Sequence, residues 1–189
     1  MVVCLTGFMG CGKSSIGREL GILLDWDFVD LDEAIVDKAG MPISQIFAEQ
    51  GEEGFRRSEV AQLRFLLENS TNPIYHDRDN MVIALGGGTI MQPEAQALVD
   101  EHALCIYLKA SFDTLFHNLA GQADHRPMLS SPNGLKARIE ELMAEREDTY
   151  ESTADIVIDT DGLSPREAAE VIAEALEGYE KATGIPIRY

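Results

Sequence analysis

The sequence predicts an α/β protein in which a five-stranded parallel sheet is covered by helices on both faces. Five short segments are apolar almost throughout, which is typical of strands buried on both faces. Segments with helical spacing separate each of them from the next, which is typical of parallel connections. The length of 189 residues suits one compact domain, so residues 1–189 are treated as a single domain.

The predicted strands are brief and rich in Val, Ile and Leu. The first, at 2–6, leads directly into a glycine-rich segment, and the second, at 27–31, ends in acidic residues. The third, at 81–85, precedes three consecutive glycines, and the last two lie at 103–108 and 154–159. Ligands bind beyond the carboxyl ends of strands in such sheets. The residues that follow each strand are therefore the first candidates for a site.

Apolar residues at helical spacing predict the helices between these strands. Ser111 and Ser164 are suited to cap two of them, and Pro165 suits the first turn of the last. The helices are predicted at 14–24, 93–101, 111–119, 135–150 and 165–181.

A helical insert is predicted at 33–69, divided by breaks at 40–42 and at Gly51. The polar segment at 70–80 is predicted to be a surface loop. A second polar segment, at 121–134, contains two prolines and is predicted to be a loop or a lid.

Composition excludes several classes of partner and of site. The chain has 33 acidic and 15 basic side chains and a formal net charge of −18, which disfavours binding to nucleic acid or to an anionic membrane surface. No apolar run approaches the roughly 18 residues of a membrane helix. The three cysteines lack a CxxC spacing, so neither a disulfide framework nor a zinc site is indicated, and a reducing cytoplasm is expected.

A glycine-rich motif follows the first strand. It reads GFMGCGKS at 7–14, satisfies the pattern GxxxxGK[ST], and lies between a predicted strand and a predicted helix. In such a loop the backbone N–H groups hold phosphate oxygens, the lysine neutralises them and the hydroxyl ligates Mg²⁺. Lys13 and Ser14 are the residues suited to these tasks. The alternative is a plain glycine turn with a surface lysine.

An acidic pair, Asp30 and Asp32, follows the second strand. If the strand extends that far, both side chains point the same way. Paired carboxylates beside a nucleotide can hold Mg²⁺ through water and accept a proton from an attacking hydroxyl. The alternative is that they are strand-end or helix-capping acids.

Glycines and arginines supply the other candidates. The run 86–88 exposes backbone and permits the close approach of a ligand, although turn chemistry alone could explain it. Four arginines stand where anions could be held, although each could instead be a solvated helix charge, since Glu53, Glu59, Glu145 and Glu147 offer plain surface partners. The four are Arg56, Arg57, Arg126 and Arg146.

Taken together, these stretches resemble the shikimate kinase family in order and spacing along almost the whole chain. They are GFMGCGKS, FVDLDE at 28–33, IFAEQGEEGFRRSE at 46–59, LGGGT at 85–89, HRPML at 125–129 and the helix that carries Arg146. The resemblance implies the P-loop NTPase fold of the nucleoside-monophosphate-kinase type. It also implies a helical substrate-binding subdomain at 32–69 and a lid at 121–134.

The resemblance implies roles on the nucleotide side. Lys13 would contact the transferred phosphoryl group, and Arg126 would reach the phosphates when the lid closes. Ser14 would ligate Mg²⁺, and Asp30 would hold the ion through water. The residues implied to contact ATP are Gly10, Cys11, Gly12, Lys13, Ser14, Ser15, Arg126 and Pro165.

The resemblance implies a second set of residues around the acceptor. Asp32 would orient the attacking hydroxyl and accept its proton, so Lys13, Asp32 and Arg126 are the implied catalytic residues. Arg56 and Arg146 would clamp the acceptor carboxylate, a bidentate task that suits arginine better than lysine. The implied acceptor-binding residues are Asp32, Arg56, Gly86, Gly87, Gly88 and Arg146.

The implied reaction moves the γ-phosphoryl group of ATP to the 3-hydroxyl of shikimate, with Mg²⁺ as cofactor. A monomer with no nucleic-acid or membrane partner is expected. Two stretches depart from the family: 115–118 lacks an arginine that stacks on adenine, and 161–164 lacks a basic residue. We expect Pro165 and His117 to supply the adenine contacts instead.

Two other functions remain open at this point. One is another small P-loop kinase, acting on gluconate or a nucleoside monophosphate, which would not require Arg56, Arg146 and the glycines to converge on a carboxylate. The other is a nucleotide-binding module without activity, which would bind ATP but not turn it over.

Overall fold

The computed structural model describes residues 1–70, 72, 80–120, 127–129 and 131–184. Within these residues the strands are β1 (Val2–Thr6), β2 (Asp27–Asp30), β3 (Met81–Ala84), β4 (Leu104–Lys109) and β5 (Ile156–Asp159). They form one parallel sheet of five strands in the order β2-β3-β1-β4-β5. The parallel five-stranded prediction is confirmed.

Seven helices are found in the same residues. The predicted strand limits, and the limits of the helices predicted between the strands, hold to within three residues. The helices are α1 (Lys13–Leu24), α2 (Leu31–Ala39), α3 (Ile43–Glu68), α4 (Pro93–His102), α5 (Phe112–Leu119), α6 (Gly134–Thr153) and α7 (Pro165–Thr183).

The centre of the sheet is covered on both faces. Every residue of β1 and β3 is buried. Because successive side chains of a strand point to opposite faces, complete burial requires cover on each side. Helix α1 packs on α7 and contacts β3, while α4 and α6 contact β4. The two faces therefore share one continuous apolar core through the central strands.

The second strand ends earlier than predicted. It stops at Asp30, and Leu31 already begins α2. One carboxylate oxygen of Asp30 accepts hydrogen bonds from the backbone N–H groups of Asp32 (3.0 Å) and Glu33 (3.2 Å), which satisfies two donors at the start of the helix. The prediction of a strand to residue 31 was therefore wrong, because an aspartate that caps a helix ends the strand before it.

The predicted breaks in the helical insert are confirmed. Helix α2 ends at Gly40, which has a φ of 66°. Helix α3 contains a kink at Gly51, where φ is 70° and ψ is −179°. A residue with a side chain is strained at such a φ, so glycine is required for the chain to turn at this point. The insert is thus two helices, the second of them bent.

The predicted loop at 70–80 and the predicted lid at 121–134 are covered only in part. Within the lid a 3-10 turn forms at Pro127–Leu129, and Leu129 is buried. Arg126 lies outside the described residues. So do all of the following: 71, 73–79, 121–125, 130 and 185–189.

The three cysteines are free and buried. Cys4 and Cys105 are partners in the register of β1 and β4. Burial raises the pKa of both thiols, that of Cys105 to about 12, so both stay protonated at neutral pH. No helix in the described ranges has both the length and the apolar character needed to cross a membrane.

The last helix begins at a complete capping box. The hydroxyl of Ser164 accepts a hydrogen bond from the backbone N–H of Glu167 (3.3 Å). A carboxylate oxygen of Glu167 accepts one in return from the backbone N–H of Ser164 (2.9 Å). Two donors that the helix leaves unsatisfied are thereby paired. The predicted start of α7, with Pro165 at its first position, is confirmed.

Replacing Ser164 by alanine should lower the free energy of unfolding by about 1 kcal/mol, since the cap is lost. Urea unfolding followed by circular dichroism measures this change. Ser152→Ala, at an exposed serine whose hydroxyl donates to the Thr149 carbonyl of its own helix, is the matched control and should change stability by less than about 0.5 kcal/mol. Equal losses in the two variants would contradict the importance of the cap.

Candidate active site

A cavity lies where the carboxyl ends of three adjacent strands meet. Strands β2, β3 and β1 are neighbours, and each leads into a segment with candidate residues. The cavity has a volume of about 230 Å³. It is lined by Met9, Gly10, Gly12, Lys13, Ser14, Ser15, Asp30, Asp32, Leu85, Gly87 and Asn118.

The loop after β1 presents backbone to this cavity. Gly10 and Gly12 have φ values of 82° and 96°, which side chains rarely tolerate. Helix α1 begins directly after Gly12, and no side chain caps it. The first N–H groups of the helix are therefore left for a ligand, together with the positive end of the helix dipole. This is the geometry that binds phosphate groups.

Lys13 adds a buried positive charge to this loop. Its side chain is only 8% exposed, and its Nζ donates to the carbonyl oxygens of Gly7 (2.8 Å) and Phe8 (2.9 Å). Among the described residues no carboxylate forms an ion pair with it. Carbonyl oxygens satisfy the hydrogen bonds but leave the net charge in place. The charge is thus available to an anionic ligand.

Ser14 and Asp30 lie together beside Lys13. The hydroxyl of Ser14 donates to the carboxylate oxygen of Asp30 that does not cap α2. The alternative of a helix-capping acid is therefore correct for Asp30, and its second oxygen remains directed at Ser14. A hydroxyl and a carboxylate in contact at a phosphate loop are oxygen donors of the kind that Mg²⁺ prefers.

Asp32 also lines the cavity, although not for the reason that the sequence suggested. Two residues along a strand would share a face, but Asp32 stands in the first turn of α2. Its Oδ1 faces Gly86, since a Cβ at residue 86 would lie 3.0 Å from it. Asp30 and Asp32 are brought together because one caps α2 and the other lies in its first turn. The turn at Gly86 leaves room for the Asp32 carboxylate.

An ion pair with the buried Glu59 fixes the partly buried Arg56. Its Nη1 donates to Glu59 at 2.6 Å, and its Nη2 donates to Glu52 at 3.1 Å. Glu59 is fully buried and also accepts from the hydroxyl of Thr89 at 2.6 Å. Burial alone would lower the pKa of Arg56, but Glu59 and Glu52 outweigh it and raise that pKa. The expectation that Glu59 is a plain surface partner was wrong.

The glycine triplet is explained by these side chains. A Cβ at Gly86 would lie 2.6 Å from a carboxylate oxygen of Glu59, and a Cβ at Gly88 would lie 2.6 Å from the guanidinium of Arg56. Neither distance is possible without displacing the pair. Gly86 and Gly88 therefore allow the backbone to lie close to the charged side chains of Glu59 and Arg56. The need for a turn does not by itself account for these glycines.

Arg146 reaches the same turn from α6. It is only 6% exposed, and its Nη1 donates to the carbonyl oxygen of Gly87 at 3.2 Å. The hydroxyl of Tyr150 donates to that same oxygen. In the described part of the chain no carboxylate pairs with Arg146, in contrast to Arg56. Arg146 is therefore a second buried cation whose charge is not cancelled.

Other predicted residues lie elsewhere. Arg57 is exposed and pairs with Glu53 on the surface of α3, so the plain reading of this arginine is correct. Pro165 and His117 are both exposed, at the start of α7 and on α5 respectively. Cys11 is buried in the phosphate loop, with its Sγ 3.8 Å from the Nζ of Lys13.

Sequence reasoning missed three residues. Tyr150 follows Arg146 by four positions, and Glu59 follows Arg56 by three, so helical spacing could have placed each beside its arginine. Asn118 donates from α5 to the carbonyl oxygen of Gly10 at 2.9 Å. Helical spacing could not reveal this last contact, because it joins residues 108 positions apart.

Comparisons with known proteins agree on one family. The model of the family described as shikimate kinase matches residues 9–177. A shikimate kinase of Chlorobium chlorochromatii is 37% identical over 97% of this chain and 95% of its own length. One of Thermus thermophilus is 39% identical over 96% of this chain and 93% of its own.

Solved structures are also similar. The structure of a shikimate kinase from Acinetobacter baumannii in complex with shikimate has a TM-score of 0.85. It is 28% identical and is matched over 95% of this chain and 94% of its own. A shikimate kinase from Aquifex aeolicus has a TM-score of 0.77 and 29% identity over 96% of this chain and 99% of its own.

Replacing Glu59 by glutamine should lower the free energy of unfolding by roughly 2–3 kcal/mol. Removing one partner of a fully buried pair typically costs about 3–5 kcal/mol, and Arg56 keeps Glu52. Glu53→Gln breaks an exposed pair on the same helix and should cost less than about 0.5 kcal/mol. Urea unfolding of both variants makes the comparison, and equal losses would contradict the buried role of Glu59.

Proposed function

This chain belongs to the shikimate kinase family, and we propose that the cavity at the carboxyl edge of its sheet is where it carries out the family's reaction. The protein is an ATP-dependent kinase that phosphorylates shikimate, a step toward the aromatic amino acids. One observation supports the location above all. Two buried cations, Lys13 and Arg146, have no carboxylate partner in the described residues, and both lie at or beside this cavity. A buried charge without a counter-charge is costly, and both substrates are anions.

ATP is proposed to bind along the loop from Gly10 to Ser15. The uncapped start of α1 supplies N–H donors to the phosphates, and Lys13 neutralises the transferred group. Cys11 belongs to this loop by position. Arg126 is proposed to reach the phosphates from the lid at 121–134, and Pro165 to contact the adenine.

Mg²⁺ is proposed to be held by Ser14 and, through water, by Asp30. Their contact in the structure fits the ion, because Mg²⁺ at a nucleotide needs only one or two protein oxygens and keeps water and phosphate as its other ligands. When bound, the ion neutralises charge on the phosphates of ATP. The capping bond from the other Asp30 oxygen would keep this carboxylate fixed.

Shikimate is proposed to bind between the insert at 32–69 and the glycine turn. Arg146 and Arg56 would hold its carboxylate, with Arg146 supplying most of the uncompensated charge. The backbone of Gly86, Gly87 and Gly88 would border the ring. This arrangement would leave the 3-hydroxyl toward Asp32, which faces Gly86 across the cavity.

The chemical step is proposed to depend on position and charge. Asp32 orients the 3-hydroxyl and accepts its proton as the oxygen attacks the γ-phosphorus, and the bond to the β-phosphate oxygen breaks to release ADP. Holding the two reactants in line supplies much of the acceleration. Lys13 stays beside the phosphoryl group during transfer.

We also propose that the enzyme is a monomer of the reducing cytoplasm. Its three cysteines are buried free thiols. The exposed large apolar side chains, of which Ile22 and Val157 are the most exposed among the described residues, lie on different elements, α1 and β5. Single exposed apolar residues do not indicate an interface.

Asp32→Asn should lower kcat at least about 100-fold, because amide nitrogen and oxygen can hold the hydroxyl but cannot accept its proton. A coupled assay of ADP release measures the rate, and calorimetry measures the affinity for ATP, which should stay within about twofold. Asp37→Asn, at an exposed aspartate of the same helix, is the matched control and should keep normal turnover. Near-normal turnover in Asp32→Asn would remove this residue from its proposed role.

Arg146→Lys should raise the KM for shikimate roughly 10- to 100-fold while leaving the KM for ATP nearly unchanged. Lysine keeps the charge but loses the bidentate geometry. Arg166→Lys, at an exposed arginine of α7, is the matched control. The methyl ester of shikimate lacks the anionic carboxylate. Its KM should therefore differ between Arg146→Lys and the wild-type enzyme much less than the KM for shikimate does. An unchanged KM for shikimate in Arg146→Lys would contradict the clamp.

A further inference from the structure

We propose that Tyr150 is a positioning residue for shikimate binding, acting through the carbonyl oxygen of Gly87 that it shares with Arg146. The proposal rests on the assignment of Arg146 to the shikimate carboxylate. Tyr150 is almost completely buried and its hydroxyl is already donated to Gly87, so it would not touch the substrate itself. Its effect would pass through the two groups that it holds in place.

The carbonyl oxygen of Gly87 is the meeting point of two donors. Nη1 of Arg146 reaches it at 3.2 Å, and the hydroxyl of Tyr150 donates to it as well. A carbonyl oxygen has two lone pairs, so these donors fill its capacity. Each donor therefore occupies one lone pair of this oxygen. The Tyr150 hydroxyl thereby restricts the orientation in which the Arg146 guanidinium can bond to it.

Helix α6 presents the two donors together. Arg146 and Tyr150 are four residues apart, so they lie one above the other on the same face of the helix. Tyr150 is 1% exposed, and its ring stacks on that of Tyr107 with centroids 5.2 Å apart and planes at 23°. The ring is therefore held independently of its hydroxyl, and the hydroxyl has little freedom to leave Gly87.

The phenol remains a donor over the working range of pH. Burial raises the pKa of Tyr150 well above its ordinary value, even though the charge of Arg146 acts in the opposite direction. A phenolate would be an acceptor and could not hold a carbonyl oxygen. Proton loss does not interrupt the bond at neutral pH.

Gly87 connects this anchor to both substrates' sites. It lines the cavity, and a Cβ on it would lie 3.1 Å from the backbone nitrogen of Met9 in the phosphate loop. The peptide is therefore confined on one side by the phosphate loop and on the other by Tyr150 and Arg146. If the Tyr150 hydroxyl were removed, Arg146 would be the remaining side-chain donor to the Gly87 carbonyl in the described region. Its guanidinium could then turn further toward that carbonyl and away from the shikimate carboxylate.

The test is Tyr150→Phe, which keeps the stacked ring and removes only the hydroxyl. We expect the KM for shikimate to rise roughly three- to tenfold, the loss that one hydrogen bond would give, and the KM for ATP to stay within about twofold. Tyr107→Phe is the matched control, since it removes a hydroxyl from the other ring of the stack and should leave both constants unchanged. Kinetics are measured well below the melting temperature of each variant.

A purely structural role predicts a different pattern. Tyr150→Phe would then lower the melting temperature while the KM for shikimate stayed at the wild-type value. A rise of equal size in both KM values would point to a general disturbance of the cavity. Either outcome overturns the proposal.

A double-mutant cycle with Arg146→Lys tests the route of the effect. If Tyr150 acts through the Arg146 guanidinium and Gly87, adding Tyr150→Phe to Arg146→Lys should raise the KM for shikimate by less than about twofold further. Full multiplication of the two effects would overturn the proposed route. If Arg146→Lys alone leaves this KM unchanged, the clamp itself is wrong. If Arg146→Lys raises it and Tyr150→Phe does not, only the role of Tyr150 fails.

Discussion

The site depends on how two buried cations are held. Lys13 and Arg146 are almost fully buried, yet in the described residues they donate to the backbone carbonyl oxygens of Gly7, Phe8 and Gly87 and to no carboxylate. A carbonyl oxygen satisfies a donor without cancelling its charge, whereas a carboxylate does both. The fold therefore keeps two positive charges directed at one region of an otherwise acidic protein. At the site proposed above, two anionic substrates would supply the missing counter-charge.

Arg56 illustrates the opposite solution. Glu59 and Glu52 neutralise it before any ligand arrives, and Thr89 fixes Glu59 in turn. Because its charge is already compensated, Arg56 offers a ligand directed N–H donors more than net positive charge. It also explains why the glycine turn has no side chains at residues 86 and 88, because the ion pair occupies the space that they would need. The glycine turn is thus contacted by one arginine whose charge is compensated and by one whose charge is not.

Asp30 connects the start of α2 to the start of α1. One of its oxygens caps α2, and the other accepts from Ser14 at the start of α1. Asp32, the proposed base, stands in the first turn of α2. Its position therefore depends on the Asp30 carboxylate, which caps this helix and also contacts the phosphate loop. A change in the hydrogen bonds of Asp30 would therefore alter the positions of both Ser14 and Asp32.

The amino-acid sequence was sufficient to predict the sheet, the helices, the breaks at Gly40 and Gly51 and the phosphate loop. These features follow from local rules: apolar runs, helical spacing, caps, and the conformations that only glycine adopts. It also pointed to Asp30, Asp32, Arg56 and Arg146 through its resemblance to a family. The folded chain was needed to show that β2 ends at Asp30, that Glu59 is buried, and that Tyr150 and Arg146 share the Gly87 carbonyl. Burial and the pairing of charges depend on groups far apart in the chain, and no local pattern records which of them meet.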